Sequence, residues 1–305
     1  MKPLQAISKI MIAALLLTGI NLSAEAQKLN NIQENGVWAP KNVKIDGKLR
    51  EWDDTFQAYN KTTSIYYTMA NDDKNLYFIM KSTDQIINNK FIAGGIDITI
   101  NTTGKKKEKD AYVIEYPLVD MTALRSQVMS MRSGIGQAPP RQGDDAMGGM
   151  DSATIAMRRK ALTNIKELKL TGFAAADVPD TVISIYNEYG IKTGVDYDAK
   201  GNLTCEIAIP LKYLHLNGND FAYNIKLNGL NLNALMPPGM NMMMAAPGQV
   251  TIGGGGGGGF GGGGGATVRT FSAADLPPGA ARAMSDMQSM ISPTDFWGKY
   301  TLIKK

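Results

Sequence analysis

The sequence predicts an all-β protein: a two-sheet antiparallel β-sandwich of the jelly-roll type, with two long loop insertions rich in Met and Gly. Segments along the chain alternate apolar and polar residues with the two-residue period of a β-strand. Turn-forming residues separate these segments at fairly regular intervals, as in sandwiches and barrels. Cys205 is the only cysteine among 305 residues, so the chain must rely on an apolar core rather than on intrachain disulfides.

Residues 1–26 have the composition of a signal peptide. Lys2 and Lys9 supply positive charge, a short apolar run follows, and Ala24-Glu25-Ala26 matches the small-x-small cleavage pattern. The run is too short to span a bilayer, and no cysteine follows the cleavage site to carry a lipid. We therefore expect a soluble secreted or periplasmic protein without a membrane span, in which residues 27–305 form a single domain.

The charge pattern does not indicate a nucleic-acid partner. The formal net charge is only +4, whereas nucleic-acid-binding proteins usually concentrate basic side chains on one face. The densest basic run, Lys105 to Lys109, falls between two predicted strands, where it is best interpreted as a solvated hairpin tip.

The first structural motif of the mature chain is a turn followed by a buried tryptophan. Asp46-Gly47 is a turn pair, because the aspartate can accept hydrogen bonds from nearby backbone amides and the glycine tolerates a positive φ. Ile45, Leu49 and Trp52 are apolar with charged residues between them. This pattern predicts a short strand, a turn and a single helical turn that buries Trp52.

Two hairpins follow in the first half of the chain. The first covers residues 64–82, with Asn71 to Asn75 as its turn. The second covers residues 96–116, where Ile96, Ile98 and Ile100 alternate with polar residues and Pro117 ends the return strand.

The second half of the chain contains further strands and one short helical turn at 211–216. Leu203, Cys205, Ile207 and Ile209 alternate strictly with Thr204, Glu206 and Ala208, and Pro210 ends that strand. The other strand candidates are 166–173, 181–186, 195–198, 221–227 and 296–303.

Two insertions, at about 121–160 and 233–292, break the strand pattern. The second is centred on residues 253–265, which contain twelve glycines in thirteen positions. Such a tract loses too much backbone entropy to order readily, so we expect two long loops, the second largely disordered. The only long helical candidate in the chain is residues 273–291.

Methionine is concentrated in these insertions, which hold 14 of the 16 methionines that follow the signal peptide. Flexible Met-rich loops can form an adaptable contact surface for a protein partner, or they can simply fill gaps beneath the loops. Met284, Met287 and Met290 have a spacing that could offer thioethers to Cu(I). The only histidine, His215, is remote in sequence from this triplet and is expected to be a partly buried packing residue, which argues against copper.

The sequence contains no recognisable catalytic set. His215 is the only candidate base of the usual kind, no nucleophile elbow accompanies it, and no His/Cys cluster has zinc spacing. Paired carboxylates leave a glycan-active hydrolase as an alternative, because that chemistry needs only two. A Ca²⁺ site is another alternative, although a hydrogen-bonded hairpin turn explains most of the same residues: Asn71, Asp72, Asp73 and Asp84.

Four segments together resemble the family 9 carbohydrate-binding module and the related DOMON-like β-sandwiches. They are Lys44 to Trp52, Asn71 to Phe78, Leu203 to Pro210, and Phe296 to Tyr300, and they occur in the expected order over most of the mature chain. Within them the resemblance assigns structural roles to Asp46, Gly47, Trp52, Glu206 and Trp297.

This resemblance implies a sandwich that, in its sugar-binding members, grips a ligand between aromatic rings. Trp38 is the only tryptophan outside the framework segments. The tyrosines that could line a sheet face, each with cross-strand packing as the alternative, are Tyr66, Tyr112, Tyr116 and Tyr186. Heme-binding relatives use Met/His ligation, for which His215 with Met69 or Met80 would be the candidates here.

The export signal, the missing catalytic set and the family resemblance together imply an exported, non-catalytic binding protein for glycans or a cell-surface polymer. A metal- or heme-handling sandwich protein with Met/His ligands and a glycan hydrolase are the alternatives. No cofactor is expected. A Ca²⁺ site is the remaining alternative, and the sequence favours a copper or heme site less.

Overall fold

The computed structural model describes residues 29–119, 151–231, 240–246, 249–254, 269–272 and 278–305. Within these residues the chain forms two antiparallel sheets of five and six strands, which confirms the predicted all-β two-sheet sandwich. The predicted signal peptide lies outside the described residues, as do 120–150 and most of the glycine tract. No helix of the described residues is long and apolar enough to cross a membrane.

Fourteen strands and three α-helices make up the described part of the chain. The strands are β1 Ala58–Asn60, β2 Ile65–Asn71, β3 Asn75–Ser82, β4 Ile96–Asn101, β5 Tyr112–Tyr116, β6 Glu167–Thr171, β7 Val182–Ser184, β8 Lys192–Tyr197, β9 Leu203–Pro210, β10 Asp220–Leu227, β11 Met240–Ala246, β12 Gln249–Gly254, β13 Arg269–Ser272 and β14 Thr294–Thr301. The helices are α1 Gln85–Gly94, α2 Ser152–Leu162 and α3 Pro278–Ile291. Short 3₁₀ helices span Arg50–Trp52 and Leu211–Tyr213.

The five-stranded sheet has the order β1-β2-β3-β9-β8, and the six-stranded sheet has the order β14-β10-β4-β5-β6-β7. Both predicted hairpins are present as β2–β3 and β4–β5. Strands distant in sequence pair at the centres of the sheets, such as β3 with β9 and β4 with β10. The chain therefore closes the sandwich through long-range pairings rather than through hairpins alone.

The main core lies between the two sheets and is built from alternate residues of each strand. Met69 and Phe78 come from one sheet, and Ile98 comes from the other, all fully buried. The Tyr67 hydroxyl, from β2, lies 2.9 Å from the Tyr223 hydroxyl of β10, so the two sheets also share a buried polar contact. This pairing satisfies both phenol groups inside an otherwise apolar layer.

A second apolar cluster lies on the outer face of the five-stranded sheet. There Trp52 packs against Ala70, Tyr77, Ile79 and Ala208. The segment that supplies Trp52, residues 37–56, is called the N-terminal cover below. Because this cover buries part of the outer face, every residue of β9 is buried, including those on its polar side.

The structure corrects three sequence predictions about the connections. The first insertion is not loop throughout, since its C-terminal part forms α2 with Asp151 as N-cap. The second contains a three-stranded sheet, β11-β12-β13, in addition to the predicted helix, now α3. Helix α1 was not predicted, although its ends are well marked: the Asp84 side chain accepts from the amides of residues 86 and 87, and the Gly95 amide donates to a carbonyl of the last turn.

Candidate functional site

A buried carboxylate of the sheet binds the turn of the N-terminal cover. Glu206 of β9 is fully buried, and its Oε2 accepts from the backbone amides of Asp46 at 3.0 Å and Gly47 at 2.8 Å. Its Oε1 accepts from Nε1 of Trp52 at 3.0 Å. Asp46, Gly47 and Trp52 therefore all bond to Glu206, and all four residues belong to segments that carry the family resemblance.

The electrostatics of this carboxylate are finely balanced. Burial raises the pKa of Glu206 to about 7, although the three N–H donors favour the ionised form. Trp52 in turn packs edge-on against Tyr77, with ring centroids 5.9 Å apart. The predicted turn and the predicted burial of Trp52 are both confirmed, since Gly47 has φ +79° and Trp52 is 6% exposed.

The turn itself is seated on strands β8 and β9 at very close range. A Cβ on Gly47 would lie 2.6 Å from the carbonyl carbon of Val195, and a Cβ on Gly194 would lie 2.6 Å from the Gly47 amide nitrogen. The Thr204 hydroxyl donates to the Gly47 carbonyl at 2.6 Å. Any residue with a Cβ at position 47 or 194 would therefore clash with backbone atoms of the facing segment. Gly194 and Thr204 were missed in the sequence because a Gly or Thr in a strand has no distinctive signal.

One row of side chains on the outer face runs along the edge of the cover and contacts it. Cross-strand pairing places Tyr59 opposite Tyr66, Tyr66 opposite Lys81, Lys81 opposite Thr204, and Thr204 opposite Asp196. Directly opposite residues of antiparallel strands project from the same face. We call this set the outer row. It crosses all five strands and runs from an aromatic end to a charged end.

The charged end of the outer row forms the floor of an open cleft with a volume of about 780 Å³. The cover supplies one wall through Lys48, Arg50 and Asp53, and α2 supplies another through Arg159. The β8–β9 turn closes a further side at Asp198. Volumes of this size are typical of small-molecule sites in proteins.

Lys81 holds the centre of this cleft between two carboxylates. Its Nζ lies 2.6 Å from Asp54 Oδ2 and 3.2 Å from Asp198 Oδ2. Burial opposes the charged form, but the hydrogen bonds that Nζ donates to these two carboxylates raise the pKa of Lys81. Burial likewise opposes ionisation of Asp198, yet hydrogen bonds from Asn202, Lys81 and Lys200 outweigh it and lower the pKa of Asp198.

Backbone strain contributes to the same arrangement. Asp53 and Asp54 follow the 3₁₀ helix with φ of +50° and +52°, in the left-handed region that most side chains avoid. Two such residues in succession cost about 1–2 kcal/mol each. The conformation turns the Asp54 carboxylate onto Lys81, where its two oxygens lie 2.6 and 2.8 Å from Nζ. Strained residues that line a cleft often serve a function there.

Helix α2 connects the first insertion to the cleft. Arg159 Nε donates to Asp196 Oδ1 at 3.0 Å and to the Tyr197 carbonyl at 3.0 Å. The Arg158 guanidinium lies 5.7 Å from the centroid of the Tyr197 ring. The insertion therefore forms a wall of the cleft rather than a detached loop, and sequence reasoning gave no indication of this contact.

The aromatic end of the outer row is a small cluster of rings. Tyr66 is partly exposed and lies 4.5 Å from Tyr59 and 5.8 Å from Phe56, measured between ring centroids. Since Tyr66 is directly opposite Lys81, this cluster adjoins the charged floor of the cleft. Tyr66 is the one predicted ligand-binding aromatic that the structure places there.

The other predicted aromatics are dispersed. Trp38 lies by Asn71 at the far end of β2, with the Lys305 ammonium 5.4 Å from its ring centroid. Tyr116 is 2% exposed and faces the core, so it is not available to a ligand. Tyr112 packs edge-on against a neighbouring ring, 5.1 Å away, and Tyr186 is 78% exposed in the turn after β7.

The four residues of the predicted Ca²⁺ alternative are not brought together. Asp72 is committed to the β2–β3 turn, where Oδ1 accepts from the amides of Lys74 and Asn75 at 2.7 Å each. Asp73 lies in the same turn, whereas Asp84 caps α1 beyond the other end of β3. An eight-residue strand such as β3 is about 26 Å long. The side chain of Asn71 bonds to the backbone of residue 303 instead.

The soft-ligand alternatives are not assembled either. Met287 and Met290 are half-buried on α3, and the side chain of Met284 lies outside the described residues. Met69 and Met80 are buried in the core, while His215 is exposed and pairs with Asp177 at 2.7 Å. The prediction that His215 is a partly buried packing residue is therefore wrong, because its left-handed backbone, φ +41°, turns the ring outward.

Trp297 is half-buried on β14, opposite Asn224 of β10, on the outward side of the six-stranded sheet. Across the described residues, no three His, Cys, Asp or Glu side chains are grouped in a way that could hold a metal ion. Comparison with known proteins adds nothing to this geometry, since no protein-family model and no curated protein sequence matches the chain.

Proposed function

We propose that this chain is an exported, non-catalytic binding protein of the family 9 carbohydrate-binding-module type, and that it binds neutral glycans in the cleft on the outer row. The observation that carries this proposal is the direct pairing of Tyr66 with Lys81, which joins a partly exposed ring to a set of fixed charges. A sugar ring has apolar C–H faces and a rim of hydroxyl groups. An aromatic surface next to hydrogen-bonding groups complements both.

The charge balance of the cleft supports a neutral ligand. Four cationic side chains line it, and four carboxylates face them: Lys48, Arg50, Lys81 and Arg159, with Asp53, Asp54, Asp196 and Asp198. A polyanion would meet as much repulsion as attraction there. A hydroxyl group can donate to a carboxylate and accept from an ammonium, so a polyol fits such a mixed lining.

The lowered pKa of Asp198 supports binding rather than hydrolysis. Asp54 and Asp198 both contact Lys81, so they are close enough together to suggest a carboxylate pair. Glycosidases need one carboxyl group of raised pKa to serve as the general acid. Here the pKa of Asp198 is lowered, and both carboxylates contact the same ammonium. The pair is therefore suited to holding a ligand.

The test is a binding screen of the full mature chain against soluble neutral polysaccharides and their oligosaccharides, followed by isothermal titration calorimetry. Tyr66→Ala is expected to weaken binding at least about tenfold, and Lys81→Met by a similar factor, since each removes one part of the outer row. Tyr186→Ala is the matched control, because Tyr186 is an exposed tyrosine remote from the outer row.

Two results would contradict the proposal. Absence of binding across the panel would remove the glycan assignment altogether. Loss of binding in Trp38→Ala with no change in Tyr66→Ala would move the site to the far end of β2 and reject the cleft.

A further inference from the structure

A second, smaller cleft lies between α1, the end of α3 and the turn before β2. Its volume is about 360 Å³, and it shares no lining residue with the cleft on the outer row. Hydroxyl groups dominate its wall, from Thr62, Ser64, Ser289, Ser292 and Thr294. We call it the α1–α3 cleft.

The α1–α3 cleft is lined by a buried lysine that has no carboxylate partner among the described residues. Lys90 is fully buried, and its Nζ donates to the Ser292 carbonyl at 2.5 Å and to the Thr294 hydroxyl at 3.1 Å. Both acceptors are uncharged. Burial lowers the pKa of Lys90, and a buried ammonium without a counter-charge is unfavourable. An ammonium has three donors, so one remains to be satisfied.

The same cleft contains an orphaned acceptor. Gln288 of α3 donates through Nε2 to the Ser292 hydroxyl at 2.7 Å, while its buried Oε1 accepts from no donor among the described residues. Buried polar atoms are almost always hydrogen-bonded in folded proteins. The α1–α3 cleft is therefore lined by an ammonium without an anionic partner, Lys90 Nζ, and by an acceptor without a hydrogen-bond donor, Gln288 Oε1, among the described residues.

The remaining polar group in the cleft limits the charge of the ligand. Asp84 Oδ1 already accepts from the amides of Ile86 at 2.8 Å and Ile87 at 3.3 Å, so the N-terminus of α1 is capped. The Asp84 carboxylate lines the cleft and adds negative charge to it. A dianion such as phosphate would be repelled more strongly than a single carboxylate.

We propose that the α1–α3 cleft binds a small hydroxy acid, an aldonate or a hexuronate, whose carboxylate pairs with Lys90 and whose hydroxyl donates to Gln288 Oε1. The serine and threonine hydroxyls complete the hydrogen bonds of such a ligand, since each can donate or accept. The cleft volume lies near the lower end of the range for small-molecule sites, which suits one sugar acid rather than a polymer. This site is separate from the glycan cleft and does not depend on it.

The experiment titrates the full mature chain with gluconate and galacturonate, using glucose and galactose as neutral counterparts and inorganic phosphate as the competing anion. Saturable binding of at least one acid is expected. Lys90→Met and Gln288→Glu are each expected to weaken it at least about tenfold, the first by removing the cation and the second by placing a like charge at the orphaned acceptor. Lys212→Met, an exposed lysine on the 3₁₀ helix after β9, is the matched control and should leave the affinity unchanged.

Several results would overturn the proposal. These are no binding of either acid at about 10 mM, equal binding of the neutral sugars, tighter binding of phosphate, or an affinity that Lys90→Met leaves unchanged. Thermal unfolding of each variant shows whether it folds. If Lys90→Met does not fold, Gln288→Glu decides, and unchanged affinity in that variant rejects the site.

Discussion

Gly47 is the position at which a single added carbon should do the most damage to the N-terminal cover. Gly47→Ala places a Cβ 2.6 Å from the Val195 carbonyl carbon and 2.7 Å from the Asp196 amide nitrogen. Both are backbone atoms of a paired strand, so they cannot move aside as a side chain would. The turn must lift away from the sheet instead.

Gly104 provides a matched control for the backbone conformation. It has φ +72°, close to the +79° of Gly47, but a Cβ there would meet nothing within 4 Å. A left-handed alanine costs about 1–2 kcal/mol relative to glycine. Restriction of the unfolded chain returns about 0.4–1 kcal/mol of this. Gly104→Ala should therefore lower the free energy of unfolding by about 1 kcal/mol.

Gly47→Ala carries the same conformational cost and loses contacts as well. Lifting the turn breaks the Gly47 amide bond to the Glu206 carboxylate, which is worth about 1.5–3 kcal/mol, and the Thr204 bond to the Gly47 carbonyl, worth about 1 kcal/mol. The total loss should be about 4 kcal/mol. At about 2 °C per kcal/mol, the melting temperature should fall by about 8 °C.

The assay is urea unfolding followed by tryptophan fluorescence, with thermal unfolding by circular dichroism as a second probe. Trp52 lies in the cover, so its emission should also change in the native state of Gly47→Ala as its contact with Glu206 loosens. If Gly47→Ala and Gly104→Ala differ by less than about 0.5 kcal/mol, close docking of the turn does not hold the cover, and the reasoning fails.

Two further predictions follow from buried groups of β9. The folded-state pKa of Glu206 is about 7 and its ordinary value is 4.5, so folding favours the protonated form. The contribution of Glu206 to the free energy of unfolding is therefore present below about pH 4.5 and is lost as the pH rises to 7. The loss amounts to about 3 kcal/mol. Urea unfolding at pH 5 and pH 8 should show this loss in the parent and a flatter response in Glu206→Gln; an identical slope would contradict the assigned shift. Cys205 is 1% exposed, and burial raises the pKa of its thiol. A thiol reagent should therefore react with Cys205 only when the protein unfolds. Modification of the native protein at the rate of a free thiol would contradict the place of Cys205 in the core.

The strands were predictable because their signal is local. In β9, the alternation of Leu203, Cys205, Ile207 and Ile209 with polar residues follows from the requirement that one face of a strand enters a core. The structure confirms those inward positions. The same pattern indicates a solvated opposite face, yet Glu206 on that face is fully buried, because a segment about 160 residues away covers it. Alternation within a strand carries no information about such a cover.

The connections show the limits of local reasoning more clearly. Composition alone suggested that the second insertion is largely disordered, but residues 240–246, 249–254 and 269–272 pair into a sheet, since β-pairing depends on a partner strand and not only on the segment itself. Helix α1 escaped prediction because its apolar residues form no clear stripe, while Asp84 had been considered as a metal ligand rather than as an N-cap.

The sequence by itself determined the all-β class, the two hairpins, the buried Trp52 and the Asp46-Gly47 turn, because each depends on residues that are neighbours along the chain or on one strand. Only the tertiary structure decided which surfaces could hold a ligand. Tyr66 and Lys81 face each other through strand register. Asp54 comes from the cover and Asp198 from the β8–β9 turn to meet Lys81, and Lys90 meets the end of α3 about 200 residues further on. Clefts form where distant segments meet, and the energy that brings those segments together is a property of the whole core.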